Sequence, residues 1–358
     1  MTSEIEKHTS FPGAIDGDEL VAQTDTPAAA PEAGAGAVRA RGYWESVWLR
    51  LRKDKLALAG AGFIVFLFIV AFGGAPLAGH LLGHGPNVPF FSNGGVDSSL
   101  QPATPMSHVT VFTASGKTQQ QLLILGGDST LGRDEFLRLL YGAQVSLEVA
   151  FGATFLSMLL GLLMGTVAGF FGGGVDTLIS RLVEITMCFP YLLFVIALAG
   201  TVGTRLNNVT FGFLGQGVVT LVIVFGFFSW FYAARVFRGI TLSLREKEFV
   251  EASRMVGASD WRTIRSHILP HLVGPLIVLS TLNIAAFILA EAGLSYLGLG
   301  IQLPTASWGN LLAQATDFLT TRPELMIWPG MALILTTLAF NLLGDGLRDA
   351  FDPRGAGR

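Results

Sequence analysis

The chain reads as an all-α polytopic membrane protein with six transmembrane helices, and three observations lead there. Only 14% of its 358 residues are charged while 51% are hydrophobic, against about 25% charged in an ordinary soluble domain. Six charge-free apolar stretches each approach the ~20 residues needed to cross ~30 Å of hydrocarbon. Lys and Arg are also sorted to one side of those stretches, as membrane topology requires. The same composition excludes other classes. A net charge of −3 is unsuited to neutralising phosphates, so no nucleic-acid partner is expected. Cys188 is the single cysteine, which excludes an intramolecular disulfide and any Cys-only metal site.

Residues 1–40 are polar and rich in Ala, Pro, Gly, Thr, Asp and Glu. Such a segment cannot bury enough surface to offset the entropy of ordering, and it is expected to be a disordered tail. It is not a signal peptide, because the basic cluster and the apolar run come later. Residues 41–82 form a basic anchor and the first span, 56–79, with Arg50, Arg52, Lys53 and Lys55 abutting it. Residues 83–146 form a large loop. Its 84–101 stretch is crowded with Gly, Pro, Asn and Ser and reads as irregular, while 109–113 and 121–125 could pair as a short hairpin. Residues 147–350 carry the spans 149–171, 185–203, 211–234, 272–290 and 325–343, with a second large loop at 237–271 and a short tail at 351–358.

With the N-terminus inside, 18 of the 23 Lys and Arg fall in the cytoplasmic segments. Both termini and the 237–271 loop are then cytoplasmic, and 83–146 lies outside. Gly161, Gly165 and Gly169 recur every four residues in the second span, a smooth strip against which another helix can pack closely. Pro190 opens the third span. Ser280, Thr281 and Asn283 in the fifth are polar candidates for a pore lining or for hydrogen bonds between helices. Cys188 is expected to be a small buried residue. No carboxylate falls within a span core, which counts against a proton-coupled carrier. Ser115-Gly116-Lys117-Thr118 ends like a phosphate-binding loop, but Val111 stands where the first Gly is needed. His80/His84 and His267/His271 are each interrupted by Gly or Pro and make poor metal pairs.

The 237–271 loop carries the most information. Helical spacing places Phe249, Ser253 and Val256 on one face of a short helix at 246–256. Gly257 ends that helix in the left-handed conformation. Ser259 caps a second helix, in which Trp261, Ile264 and Ile268 form an apolar stripe, and Pro270 separates it from the next span.

Within this loop, Glu251-Ala252-Ser253, then Gly257-Ala258, then Ile268-Leu269-Pro270, resembles the EAA loop of ABC-importer permeases. Ser253 replaces the pattern's second Ala, and Ile268 comes one place late, after His267. The resemblance extends over about 51–354. It includes Gly127-Asp128-Ser129-Thr130-Leu131-Gly132-Arg133-Asp134, Gly169-Phe170-Phe171-Gly172-Gly173 with Asp176 and Arg181, and Leu294-Ser295-Tyr296-Leu297-Gly298-Leu299-Gly300. Ser307-Trp308-Gly309-Asn310 and Asn341-Leu342-Leu343-Gly344-Asp345-Gly346 complete it. The family is that of the second, C-type permease of dipeptide, oligopeptide and nickel importers.

That resemblance implies a type I ABC-importer permease fold in a bacterial inner membrane. It implies a subunit that is not itself an enzyme and binds no cofactor, with ATP and Mg used by partner ATPase subunits. The implied partners are a different permease subunit in a heterodimer, cytoplasmic ABC ATPases, an extracytoplasmic substrate-binding protein and membrane lipid. The cargo class is di- or oligopeptides, with nickel chelates, glutathione or sugars as alternatives. A stand-alone secondary carrier is the competing class. Glu251, Ala252, Ser253, Gly257, Ala258, Ile268, Leu269 and Pro270 would form the ATPase-coupling loop. The 84–125 stretch exceeds the family's usual connector and is expected to touch the binding protein or the partner permease, with Arg133 and Asp134 helping to anchor it.

Overall fold

A computed structural model describes residues 42–112, 118–191, 193–198, 201 and 217–352. The expected tail at 1–40, most of the tail at 351–358, the end of the 185–203 span and the start of the 211–234 span lie outside these residues. In chain order the elements are α1 (Tyr43–Leu51), α2 (Lys55–Leu82), β1 (Ser107–Phe112), β2 (Thr118–Leu123), α3 (Glu135–Phe171), α4 (Gly173–Cys188) and α5 (Val218–Arg245). They continue as α6 (Glu248–Met255), α7 (Asp260–Tyr296), α8 (Trp308–Ala315) and α9 (Glu324–Phe351). Among the described residues five helices are long and apolar enough to cross a membrane: α2, α3, α5, α7 and α9.

An aspartate cap starts two of the long helices. Asp54 caps α2, its Oδ1 accepting from the Leu56 and Ala57 amides at 2.9 and 3.1 Å, which satisfies two of the four orphan N–H groups of a helix start. Asp134 does the same for α3 through Leu137 N–H at 3.1 Å. α3 packs along α5, α9 lies against α2 and α7, and α7 lies against α3. The main core joins Ile64, Leu147, Phe225, Phe287, Trp308 and Phe340, with the Phe225 and Phe287 rings stacked at 5.5 Å.

Three features depart from the expectations. The 185–203 span does not start as one helix. α4 ends at Cys188, Phe189 is extended (φ −80°, ψ 133°), and helix resumes beyond Pro190. A residue before proline is driven from the helical region by the proline ring. Cys188, expected to be buried, is exposed there, because α4 turns inward only Ile179 and Val183.

Pro270 does not separate a short helix from the following span; α7 is continuous through it. A π turn at Ile264–Ile268, closed by the Leu269 amide on the Ile264 carbonyl, lets the helix pass the bond that proline cannot donate. The hydroxyls of Ser280 and Thr281 turn back onto their own helix, to Leu276 O at 2.7 Å and Val278 O at 2.8 Å.

The 83–134 region builds a small satellite core. β1 and β2 pair antiparallel with Val109 opposite Gln121, about two residues N-terminal of the expected strands. Val109, Leu123, Phe90 and Ala103 are buried together beneath them.

Candidate functional site

The segment joining α5 to α7 is built to hold one short helix in a fixed pose. α5 runs beyond its apolar stretch to Arg245, and α6 starts after the extended Lys247. At the other end Gly257 has φ +79°. The Ala258 amide donates to Ser253 O at 3.1 Å, and the Gly257 amide to Arg254 O at 2.9 Å. Together these form a Schellman closure, which uses a left-handed residue to satisfy the last helical carbonyls. Ser259 then caps α7, its Oγ accepting from the Arg262 amide.

Three contacts fasten α6. The Ser253 and Thr263 hydroxyls bond at 3.1 Å in a buried position. The Phe249 ring stacks on His271 at 5.3 Å. The Arg254 guanidinium lies 5.2 Å over the Phe170 ring at the end of α3, a cation–π contact. Arg245 donates to Phe170 O at 3.2 Å, and Arg238 makes a two-pronged pair with Asp176. That guanidinium holds the Asp176 carboxyl below the usual carboxylate range. α6 is thereby tied to α3 and α7 together.

The buried face of α6 is not the expected one. Val250 is fully buried beside Ser253, whereas Val256 is 86% exposed. Trp261, assigned to the stripe with Ile264 and Ile268, is 66% exposed while those two are buried. Thr263 takes the inward place against Ser253. The result is an open surface with Met255, Val256 and Trp261 presented around Gly257, and with Glu251 and Ala252 exposed on the same short helix. Ala258 is half-buried at the bend, Ile268 is buried, Leu269 is half-buried and Pro270 is exposed. Glu251 and Gly257 therefore sit in one exposed unit, while Ile268, Leu269 and Pro270 belong to the root of α7.

The glycines of α3 face α5. A Cβ at Gly161 would lie 2.5 Å from Ala233 Cβ, at Gly165 2.5 Å from Ala234 O, and at Gly169 2.7 Å from Thr241 Cβ. Real side-chain atoms do not approach that closely, so the two helix backbones are in near contact over three turns.

One charged residue escaped the sequence reading. Glu291, a single position beyond the end of the expected 272–290 span, is fully buried inside α7. Its Oε2 accepts from Ser146 at 2.7 Å and its Oε1 from Ser295 at 2.7 Å. Ser295 Oγ in turn accepts the Ile301 amide at 3.0 Å. Glu291 lies outside the expected span but inside the longer helix that contains that span. The carboxylate links α3, α7 and the turn that leads to α8.

Comparison with known proteins shows the family. Residues 158–356 match the family described as binding-protein-dependent transport system inner membrane component. Residues 42–94 match the N-terminal TM domain of oligopeptide transport permease C. The chain is 37% identical over 317 residues to the dipeptide transport system permease protein DppC of Bacillus subtilis (strain 168), covering 87% of this chain and 86% of that one. It is 35% identical over 312 residues to the glutathione transport system permease protein GsiD of Escherichia coli O6:K15:H31, covering 87% and 90%. A chain of the MetNI methionine ABC transporter, in an inward-facing form, aligns at 18% identity and a TM-score of 0.48 over 61% of this chain and 97% of its own. The chain belongs to the family of inner-membrane components of binding-protein-dependent transport systems, on its permease C branch.

Proposed function

We propose that the chain is one of two different permease subunits of an ATP-driven peptide importer, and that α6 with its Gly257 bend is the surface on which a cytoplasmic ATPase acts. The observation that carries this reading is the exposed unit of Glu251 and Met255 on α6, a helix tied to both α3 and α7, with Val256 and Trp261 exposed around the bend that follows it. Large apolar side chains held open to solvent mark an interaction surface. A carboxylate among them supplies a charge-assisted hydrogen bond that fixes register.

The orientation follows from the basic residues: α6 and both termini on the cytoplasmic side, the 83–134 region outside. In this reading ATP and its Mg belong to the partner ATPase subunits. Substrate arrives on an extracytoplasmic binding protein, which the 84–125 stretch faces. Di- or oligopeptides are the cargo class supported by the dipeptide permease relatives. Glutathione, itself a tripeptide, is the second reading, supported by the glutathione permease relatives.

The experiment replaces Glu251 with Ala, and Gly257 with Leu, in the assembled transporter. Chain insertion and extracted yield stay near wild type, while substrate-stimulated ATPase activity and peptide uptake fall together. A charge-assisted bond of about 1.5–3 kcal/mol corresponds to a loss of roughly ten- to a hundredfold. Wild-type uptake with both substitutions present would reject α6 as the coupling element.

A further inference from the structure

We infer that His84 and Asp134 form a buried proton-binding site whose occupancy fastens the 83–134 region to the start of α3. His84 Nδ1 lies 3.4 Å from the Gly85 carbonyl oxygen, and Nε2 lies 3.5 Å from Asp134 Oδ2. A carbonyl and a carboxylate both accept hydrogen bonds, whereas a neutral imidazole has a single N–H to give. Satisfying both contacts therefore takes one proton more than a neutral histidine beside an ionised aspartate contains. Both side chains are almost wholly enclosed, at 3% and 0% exposure, so water does not replace a missing bond.

The surroundings place that proton on the carboxyl. On the 128–133 turn, Asp128 receives Arg133 Nε at 3.0 Å. From α3, Arg138 Nε reaches the same Asp128 oxygen at 2.8 Å, and Glu135 is buried beside them. The nearby Asp128 carboxylate opposes a second negative charge on Asp134. The other titratable groups nearby are the Tyr141 hydroxyl of α3, close to Gly79, and the exposed His80 of α2; Phe90 offers only its ring, and from β2 the neutral Gln121 amide lies against Gly83.

Burial raises the Asp134 carboxyl to about 6 and lowers the basicity of His84. Both directions favour Asp134 Oδ2–H donating to His84 Nε2 while Nδ1–H donates to Gly85. Asp134 Oδ1 meanwhile caps α3 through Leu137 N–H, so one carboxyl joins the loop to the helix start.

The pH dependence follows in sign. A carboxyl raised from 3.8 to about 6 binds its proton more tightly when the loop is closed than when it is open. That contribution is complete below about 4 and is lost as the pH rises through about 6. His84, lowered from 6.5, acts in the opposite sense as the pH falls below 6.5 and offsets part of the effect. Once the proton leaves, the neutral imidazole can serve Gly85 or Asp134 but not both.

Hydrogen–deuterium exchange on the full chain in detergent, corrected for intrinsic rates, tests the site. The amides of Gly85, Asn87, Val88, Phe90 and Leu137 are expected to exchange about tenfold more slowly at pH 5 than at pH 8. Asp134→Asn keeps the cap and donates to His84 at any pH, so its exchange should be slow and equal at both. Equal protection of the wild type at both pH values, or the wild-type change persisting in D134N, would overturn the proposal. Imidazole nitrogen NMR of the wild type needs no variant. One of the six histidines should remain a neutral Nδ1–H tautomer at pH 5, and finding all six as imidazolium there would also overturn it.

Discussion

The two ends of α3 meet charge in opposite ways. At its start, Asp128, Arg133, Asp134, Glu135 and Arg138 are all buried; Asp128 binds both arginines, which also reach Asn87, Pro304 and Gln314. Near its other end, Glu246, Lys247, Glu248, Glu251, Arg254, Asp260, Arg262 and Arg265 are strung along a longer segment, and all are exposed. In sequence the two segments look alike. Inside the protein, a charge without its partner is expensive, so the first cluster fixes the position of chain segments far apart in sequence. In water, a charge contributes little to stability, so the second cluster is free to answer to another molecule.

The sharpest way to break that contrast is Arg138→Ala. Its side chain is fully buried against Asp128, and removing one partner of a buried pair typically costs about 3–5 kcal/mol. Thermal aggregation of the detergent-solubilised chain should move to markedly lower temperature, and a midpoint near wild type would contradict the buried network. Gly165→Val comes next. Its Cβ would meet the Ala234 carbonyl oxygen at 2.5 Å, and overpacking of this kind costs about 1–3 kcal/mol. The same assay should register a smaller fall, together with altered accessibility of cysteines placed along α5. The smallest effect on stability belongs to Glu251→Ala, within about 0.5 kcal/mol as for other surface sites. If Glu251→Ala destabilised the chain as much as Arg138→Ala, the distinction between the two clusters would fail.

Length and apolarity made most of the spans legible. Four of the six expected stretches fall within long helices, and the described part of a fifth, 218–234, lies in α5, because crossing a bilayer needs a run of residues that little else produces. Helix ends were less legible. α3 starts at Glu135 and α5 ends at Arg245, since helix continues through polar residues that an apolar count ignores. The same count stopped at Ala290, one residue short of Glu291, whose burial depends on Ser146 from another helix. Gly257 was readable from sequence because its left-handed conformation is a local property. Which face of α6 would be buried was not, since Val250 and Ser253 are chosen by partners on α7 and not by their own spacing. The pairs Arg238–Asp176 and Arg254–Phe170 are likewise set by the packing of α3 and α4 against α5 and α6, which no local pattern announces.

The π turn that carries α7 past Pro270 has a mechanical consequence. Because the helix is continuous from Asp260 to Tyr296, it is a rod of about 55 Å at 1.5 Å per residue. Thr263, which grips α6, stands near one tip, and Glu291, which grips Ser146, stands near the other. A tilt of roughly ten degrees about the middle of such a rod displaces each tip by about 5 Å, one helical turn. In the proposed role, a push on α6 would arrive at the Glu291 end of α7 at nearly full amplitude and with reversed direction. Had Pro270 broken the chain into two helices, the same push would have dissipated at the joint.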